Sequence, residues 1–98
     1  MLPAGPDQTS TESDPSRSRE AVSFVREQLR IAGEILDNPG GGLVFGYQAL
    51  GQARARLGEE DRERYRAVIR LLEEAERQAV WRRFKRSREL IGEAAAGL

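Results

Sequence analysis

The longest part of the chain without a helix-breaking residue runs from Glu59 to Ile91, between Gly58 and Gly92. Because proline and glycine are the residues that most weaken a helix, this segment predicts one continuous helix over about 59–96. At about 1.5 Å per residue, such a helix would be about 50 Å long or more. It would be longer than any other helix in the chain, so the sequence predicts an all-α fold, a small bundle with a long C-terminal helix.

Two shorter helices are predicted before it, at about 16–37 and 43–57. Between them, Asn38 precedes Pro39 and a run of three glycines. Proline disfavours helix at the residue before it, and glycine adds backbone freedom, so a turn is expected here. In the first helix, apolar residues repeat every three or four positions and therefore share one face. They are Val22, Val25, Leu29, Ala32 and Leu36.

The second predicted helix is narrow, because glycines and alanines occupy many of its positions. Its first residues, Leu43 to Phe45, would also suit a short strand, but the sequence offers no second strand to pair with it. Gly58 follows the last apolar residue and precedes three acidic residues, Glu59 to Asp61. A glycine at a helix end followed by acids in a first turn predicts that the second helix stops near Leu57 and the third begins at Glu59.

The first 17 residues have the composition of a disordered tail, because only Met1 and Leu2 are large and apolar. A helical domain is therefore expected over residues 18–98. The N-terminus combines neither a positive charge nor an apolar run of signal-peptide length, and no segment approaches the length and hydropathy of a membrane span. We expect a cytoplasmic protein without a membrane span.

Histidine and cysteine are both absent from the chain. Their absence removes thiolate and most zinc sites, and it removes the base that Ser-His and Cys-His catalysis needs. Glu73 and Glu76 lie three residues apart on a predicted helix, but no Glu-x-x-His accompanies them, so a di-metal site is not indicated. The sequence predicts a protein that is not an enzyme and that uses no cofactor or metal.

The apolar stripe of the predicted long helix changes face after Ala79. Before it, Tyr65, Val68, Leu72, Ala75 and Ala79 form one row; the next row, Val80, Phe84, Ile91 and Ala94, is displaced by one residue. We interpret the first half as core and the second half as an apolar strip that faces a partner. Large exposed apolar patches usually mark interfaces, and the simplest partner is a second copy, so a homodimer is expected.

A basic run crosses the same half of the helix. The 16 basic and 16 acidic residues of the chain cancel, so any attraction for an acidic partner must be local. Arg82 and Arg86 are like charges at four-residue spacing, which destabilises a helix. The helix dipole with nearby glutamates and solvent, an acidic protein surface, or a nucleic-acid backbone would each offset the repulsion. The candidate partner-binding residues are Val80, Trp81, Arg82, Arg83, Phe84, Lys85, Arg86, Arg88, Leu90 and Ile91.

The predicted function is that of a non-enzymatic adaptor or regulator, which binds a protein through the second half of the C-terminal helix. The alternative is a nucleic-acid-binding regulator that uses residues 81–88. In that case the cations would contact phosphates, and Trp81 or Phe84 would stack on bases. The order of the helices does not decide between the two, because many unrelated proteins share it.

Overall fold

The computed structural model describes residues 15–98, and within this range the protein is all-α, with four helices and no strand. Helix α1 contacts α2 and α4, and helix α3 also contacts α2 and α4, so the four helices surround a shared core. None of the described helices is long and apolar enough to cross a membrane. The helices are α1 (Pro15–Asp37), α2 (Leu43–Asp61), α3 (Arg66–Val80) and α4 (Phe84–Ala96).

Helix α1 begins at Pro15, a residue that suits the first helical turn because its missing N–H would have no partner there. Residues 15–17, at the edge of the predicted tail, therefore belong to the helix, in agreement with its predicted start near residue 16. The remainder of the predicted tail, residues 1–14, lies outside the described residues. The predicted apolar face of α1 is confirmed, with one member, Val22, only partly buried. The fully covered members are Val25, Leu29, Ala32 and Leu36.

The predicted turn between α1 and α2 is confirmed. The Gly42 N–H donates a hydrogen bond to the Pro39 carbonyl at 2.7 Å, and Gly40 has a φ of 46°, which glycine adopts without steric cost. Leu43 to Phe45 form the first turn of α2 and not a strand. Gly46 is buried there, and a Cβ at this position would lie 3.2 Å from Ile35 Cγ2, closer than most Cβ contacts. The glycine thus lets α1 and α2 approach closely without a shift of Ile35.

The predicted boundary between the second and third helices was placed too early. Helix α2 continues through Gly58 to Asp61, and the chain turns at residues 62–65. The Asp61 carboxylate accepts a hydrogen bond from the Arg64 backbone N–H at 3.1 Å, a local side-chain-to-backbone bond within this turn. Glu59 to Asp61, which were predicted to form the first turn of the third helix, therefore belong to the last turn of α2.

The predicted continuous helix over 59–96 is wrong, because the chain folds back between Val80 and Phe84. One long helix would have left the apolar row after Ala79 without a neighbour. Folding back lets α4 pack on α3 and α1, which buries Ile91 and Ala94 and partly buries Phe84, while Val80 at the end of α3 stays exposed. The buried Ser87 Oγ donates a hydrogen bond to the Ala75 carbonyl at 2.8 Å and ties the two helices together. The predicted core row Tyr65, Val68, Leu72, Ala75 and Ala79 is confirmed as buried.

Two polar contacts hold α3 antiparallel against α2. The Tyr47 hydroxyl donates to the Ala79 carbonyl at 3.2 Å. The Arg54 guanidinium donates to both carboxylate oxygens of Glu76, at 2.6 and 3.2 Å, and this hydrogen bonding raises the pKa of Arg54. The contacts bring the start of α2 beside the end of α3, so side chains from both helices lie at this end of the molecule.

Candidate functional site

The turn at residues 81–83 ends α3, and Arg82 occupies a position in it where glycine is usual. The Arg82 N–H donates to the Ala79 carbonyl at 2.9 Å, and the Arg83 N–H donates to the Gln78 carbonyl at 2.8 Å. This pair of bonds is a Schellman motif, in which glycine usually occupies the left-handed position. Arg82 occupies it here with a φ of 63°, the only positive φ of a non-glycine residue within 15–98. A side chain in this conformation costs roughly 1–2 kcal/mol.

Replacing Arg82 with glycine is expected to raise the free energy of unfolding by about 1 kcal/mol. The glycine removes the left-handed strain, and part of the gain is offset by its greater freedom in the unfolded chain. Arg83→Gly is the matched control: with a φ of −94° at this position, glycine brings no relief and only adds unfolded-state freedom. Urea denaturation of both variants measures the difference. A stability of Arg82→Gly no higher than that of Arg83→Gly would contradict the turn geometry.

Four large apolar side chains are each more than half exposed at the end of the molecule where α2 begins and α3 ends. The Tyr47–Ala79 hydrogen bond sets the register of the two helices at this end. Val80 adjoins Ala79 in the chain, and Val44 lies one helical turn before Tyr47 on the same face. We call these four residues the apolar cluster: Val44, Phe45, Val80 and Trp81.

Cations without an acidic partner lie beside the apolar cluster. Of the basic run, Arg86 pairs with Glu89 at 3.2 Å and Glu93 at 3.7 Å, and Arg88 pairs with Asp37 of α1 at 3.2 Å. The other three cations form no ion pair within residues 15–98. We call them the unpaired cations: Arg82, Arg83 and Lys85.

The apolar cluster and the unpaired cations meet at Trp81, and we call the two groups together the basic–apolar end. The Arg83 guanidinium lies 5.1 Å from the centroid of the Trp81 ring, within the range of a cation–π contact. Helix α4 starts here with no side-chain cap and no acidic residue in its first turn. The positive end of its dipole lies beside the negative C-terminal end of α3, so the two dipoles oppose each other and the positive charge of this end is that of the unpaired cations.

The prediction that Leu90 and Ile91 lie on an exposed strip is wrong. Leu90 and Ile91 are only 3 % and 6 % exposed, because α4 turns back and presents them to the core. Phe84 is partly buried and packs against the same core. Among the apolar candidates, Val80 and Trp81 alone keep the exposure that the prediction required.

The sequence prediction missed Val44 and Phe45, which the structure adds to the surface. They do not fit the apolar row of α2, in which Leu43, Tyr47 and Leu50 succeed one another at three- and four-residue spacing. That mismatch was a usable signal that they face away from the core. Their proximity to the end of α3 depends on the antiparallel packing and had no local signal.

The fold and this surface define a small all-α protein with four described helices and one basic, apolar end. No family model matches the chain, and no curated protein or solved structure is detectably similar to it. Its function is therefore inferred from the residues of that end.

Proposed function

We propose that the protein is a non-enzymatic interaction module, an adaptor or regulator, that binds a protein partner through the basic–apolar end. The observation that carries the proposal is where the exposed apolar groups occur. Of the five large hydrophobic residues exposed within 15–98, four belong to the first turn of α2 or to the end of α3, which the Tyr47–Ala79 hydrogen bond holds side by side, and only Phe24 lies elsewhere. Covering apolar surface is favourable by about 25 cal/mol per Å², so a partner that covers the cluster gains binding free energy.

A protein partner suits this surface better than nucleic acid, the alternative predicted from the basic run. Exposed Trp81 beside Arg83 resembles the aromatic and cationic pairs that bind single strands. However, Arg86 and Arg88 are engaged with acids of the chain, which leaves three unpaired cations for a phosphate backbone. Half of the apolar cluster is aliphatic, and nucleic-acid interfaces are more polar than protein interfaces.

The expected homodimer stays a prediction, and the observations now favour a different partner for this surface. Leu90 and Ile91, which motivated the dimer, are buried within their own chain. In a twofold pair across the basic–apolar end, the unpaired cations of each copy would approach those of the other, and this repulsion opposes association.

Capture from native cells, with and without nuclease treatment beforehand, tests the proposal with a pair of matched variants. Tagged wild-type protein is compared with Phe45→Asp and with Phe24→Asp, which makes the same chemical change at an exposed phenylalanine of α1. We expect at least one protein to be retained by the wild type and by Phe24→Asp but lost from Phe45→Asp, because only Phe45 belongs to the proposed surface. Light scattering of the same samples reports whether the 11.0 kDa chain is a monomer or a dimer.

Identical sets of proteins captured by all three forms would contradict the proposal. So would the loss of every captured protein on nuclease treatment, which would favour the nucleic-acid alternative.

A further inference from the structure

We infer that the segment recognised by the basic–apolar end is an acidic protein segment with large apolar anchors. Its aspartate or glutamate side chains meet the unpaired cations, and its aromatic or aliphatic side chains cover the apolar cluster. The inference rests on the proposed function and names the chemistry of the partner.

The acidic character of the partner segment follows from the positive charges of the unpaired cations, which no carboxylate within residues 15–98 neutralises. The acids beside the basic run, Asp37, Glu89 and Glu93, are already paired with Arg88 or Arg86. A neutral partner would offer the unpaired cations only uncharged acceptors in place of water, and a basic partner would repel them, so neither compensates well for the water that binding removes. Carboxylates replace those bonds with charge-assisted ones, and the planar arginine side chain binds a carboxylate through two parallel N–H groups.

The apolar anchors must lie close to the acids in the partner. Arg83 and Trp81 are in direct contact at 5.1 Å, so a group that covers the ring and a group that binds the guanidinium lie within a few residues of each other. The Tyr47–Ala79 hydrogen bond keeps the helix that carries Val44 and Phe45 against the helix that carries Val80. One short amphipathic segment therefore fits both parts of the surface.

The strain at Arg82 is an independent observation at the same place. Its left-handed backbone is a conformation that glycine adopts without cost, and strained residues of this kind concentrate at binding sites. If the Arg82 guanidinium binds the partner, that role explains why arginine stands here in place of the unstrained glycine. A second copy of the chain supplies no such acid from this end, since the acids next to the basic run are paired.

A random library of 16-residue peptides, displayed on phage and selected against the full-length protein, tests the inference without assuming a sequence. We expect the selected peptides to carry net negative charge, with large apolar residues within about four positions of the acids. Trp81 is the only tryptophan in the chain and is 57 % exposed, so its fluorescence reports directly on the surface. Binding should shift its emission to shorter wavelength, and added salt should weaken the binding.

Two triple variants with the same net charge separate local from overall electrostatics. The first reverses the unpaired cations, Arg82→Glu, Arg83→Glu and Lys85→Glu. The second reverses three arginines elsewhere, Arg26→Glu, Arg62→Glu and Arg70→Glu. We expect the first to weaken peptide binding by at least about 100-fold and the second by less than about 10-fold, because only the first changes contacts at the surface. Circular dichroism verifies that both variants keep their helices.

Equal losses in the two variants would overturn the inference. Selected peptides that are neutral or basic, tighter binding of a duplex or single-stranded DNA than of any peptide, or a library that yields no peptide able to shift Trp81 emission would also overturn it. The proposed function would survive if neutral peptides shifted Trp81 emission and competed with a captured protein that depends on Phe45. It would fail as well if capture did not depend on Phe45, or if nuclease treatment abolished the capture of every protein.

Discussion

Replacing Leu72 with alanine is expected to lower the free energy of unfolding by about 2–5 kcal/mol. Leu72 is completely buried in α3, the helix that joins α2 to α4, so its shortening leaves a cavity in the shared core. Domains of this size are stable by only about 5–15 kcal/mol, so the change removes a large share of the total. Thermal and urea denaturation followed by circular dichroism measure the loss, with a fall in Tm of about 4–8 °C for each kcal/mol.

The neighbouring leucine provides the matched control. Leu71 is only partly buried at the edge of the core, so Leu71→Ala removes less buried surface and leaves no enclosed cavity. It should destabilise the protein by less than half as much as Leu72→Ala. Equal losses for the two variants would contradict the orientation of α3 described above.

Replacing Trp81 with alanine is expected to weaken partner binding by about 30-fold or more, equivalent to about 2 kcal/mol. Tryptophan is among the residues that most often dominate binding energy, and Trp81 is both exposed and held beside Arg83. Isothermal titration with a captured partner, or with the tightest selected peptide, measures the change. Because the ring contributes little to the core, the unfolding free energy should change by less than about 1 kcal/mol.

Phe24→Ala is the control for this prediction, since it removes an exposed aromatic ring from α1 at a distance from the basic–apolar end. Its affinity should remain within about threefold of the wild type, as expected for a residue outside the interface. If Trp81→Ala bound the partner as tightly as Phe24→Ala, the result would show that the interface does not include the basic–apolar end.

Local patterns in the sequence were sufficient to predict much of the fold. The spacing of Val25, Leu29 and Leu36 predicted the buried face of α1, because side chains three or four residues apart lie on one side of a helix. Pro39 and the glycines after it predicted the first turn, since they restrict or release the backbone where they stand. These signals needed no knowledge of the other helices.

The second turn shows where such signals fail. Gly58 was the nearest helix-weakening residue, yet α2 continues through it to Asp61, whose side chain accepts a hydrogen bond from the Arg64 N–H in the turn that follows. A single glycine within a helix costs only about 1 kcal/mol, which packing readily offsets. Residue type alone therefore misplaced the boundary.

The candidate site was predicted in part. The unpaired cations, Val80 and Trp81 were identified from composition and spacing, whereas Leu90 and Ile91 were wrongly included, and Val44 and Phe45 were missed. The displacement of the apolar row after Ala79 was interpreted as a change of partner. In the structure it marks the turn at Arg82, after which the same row faces the core from a second helix.

The amino-acid sequence by itself determined the all-α class, the first turn, and most of the buried residues of α1 and α3, because helical periodicity and turn chemistry act within a few residues. Only the tertiary structure decided that the segment from Glu59 to Ala96 supplies the end of α2 and two further helices. An apolar row is stabilised only when another helix covers it, and that cover comes from residues distant in the chain. The turn at 81–83 buried Leu90 and Ile91 against the core. The turn at 62–65 placed the end of α3, and with it the unpaired cations, beside the start of α2.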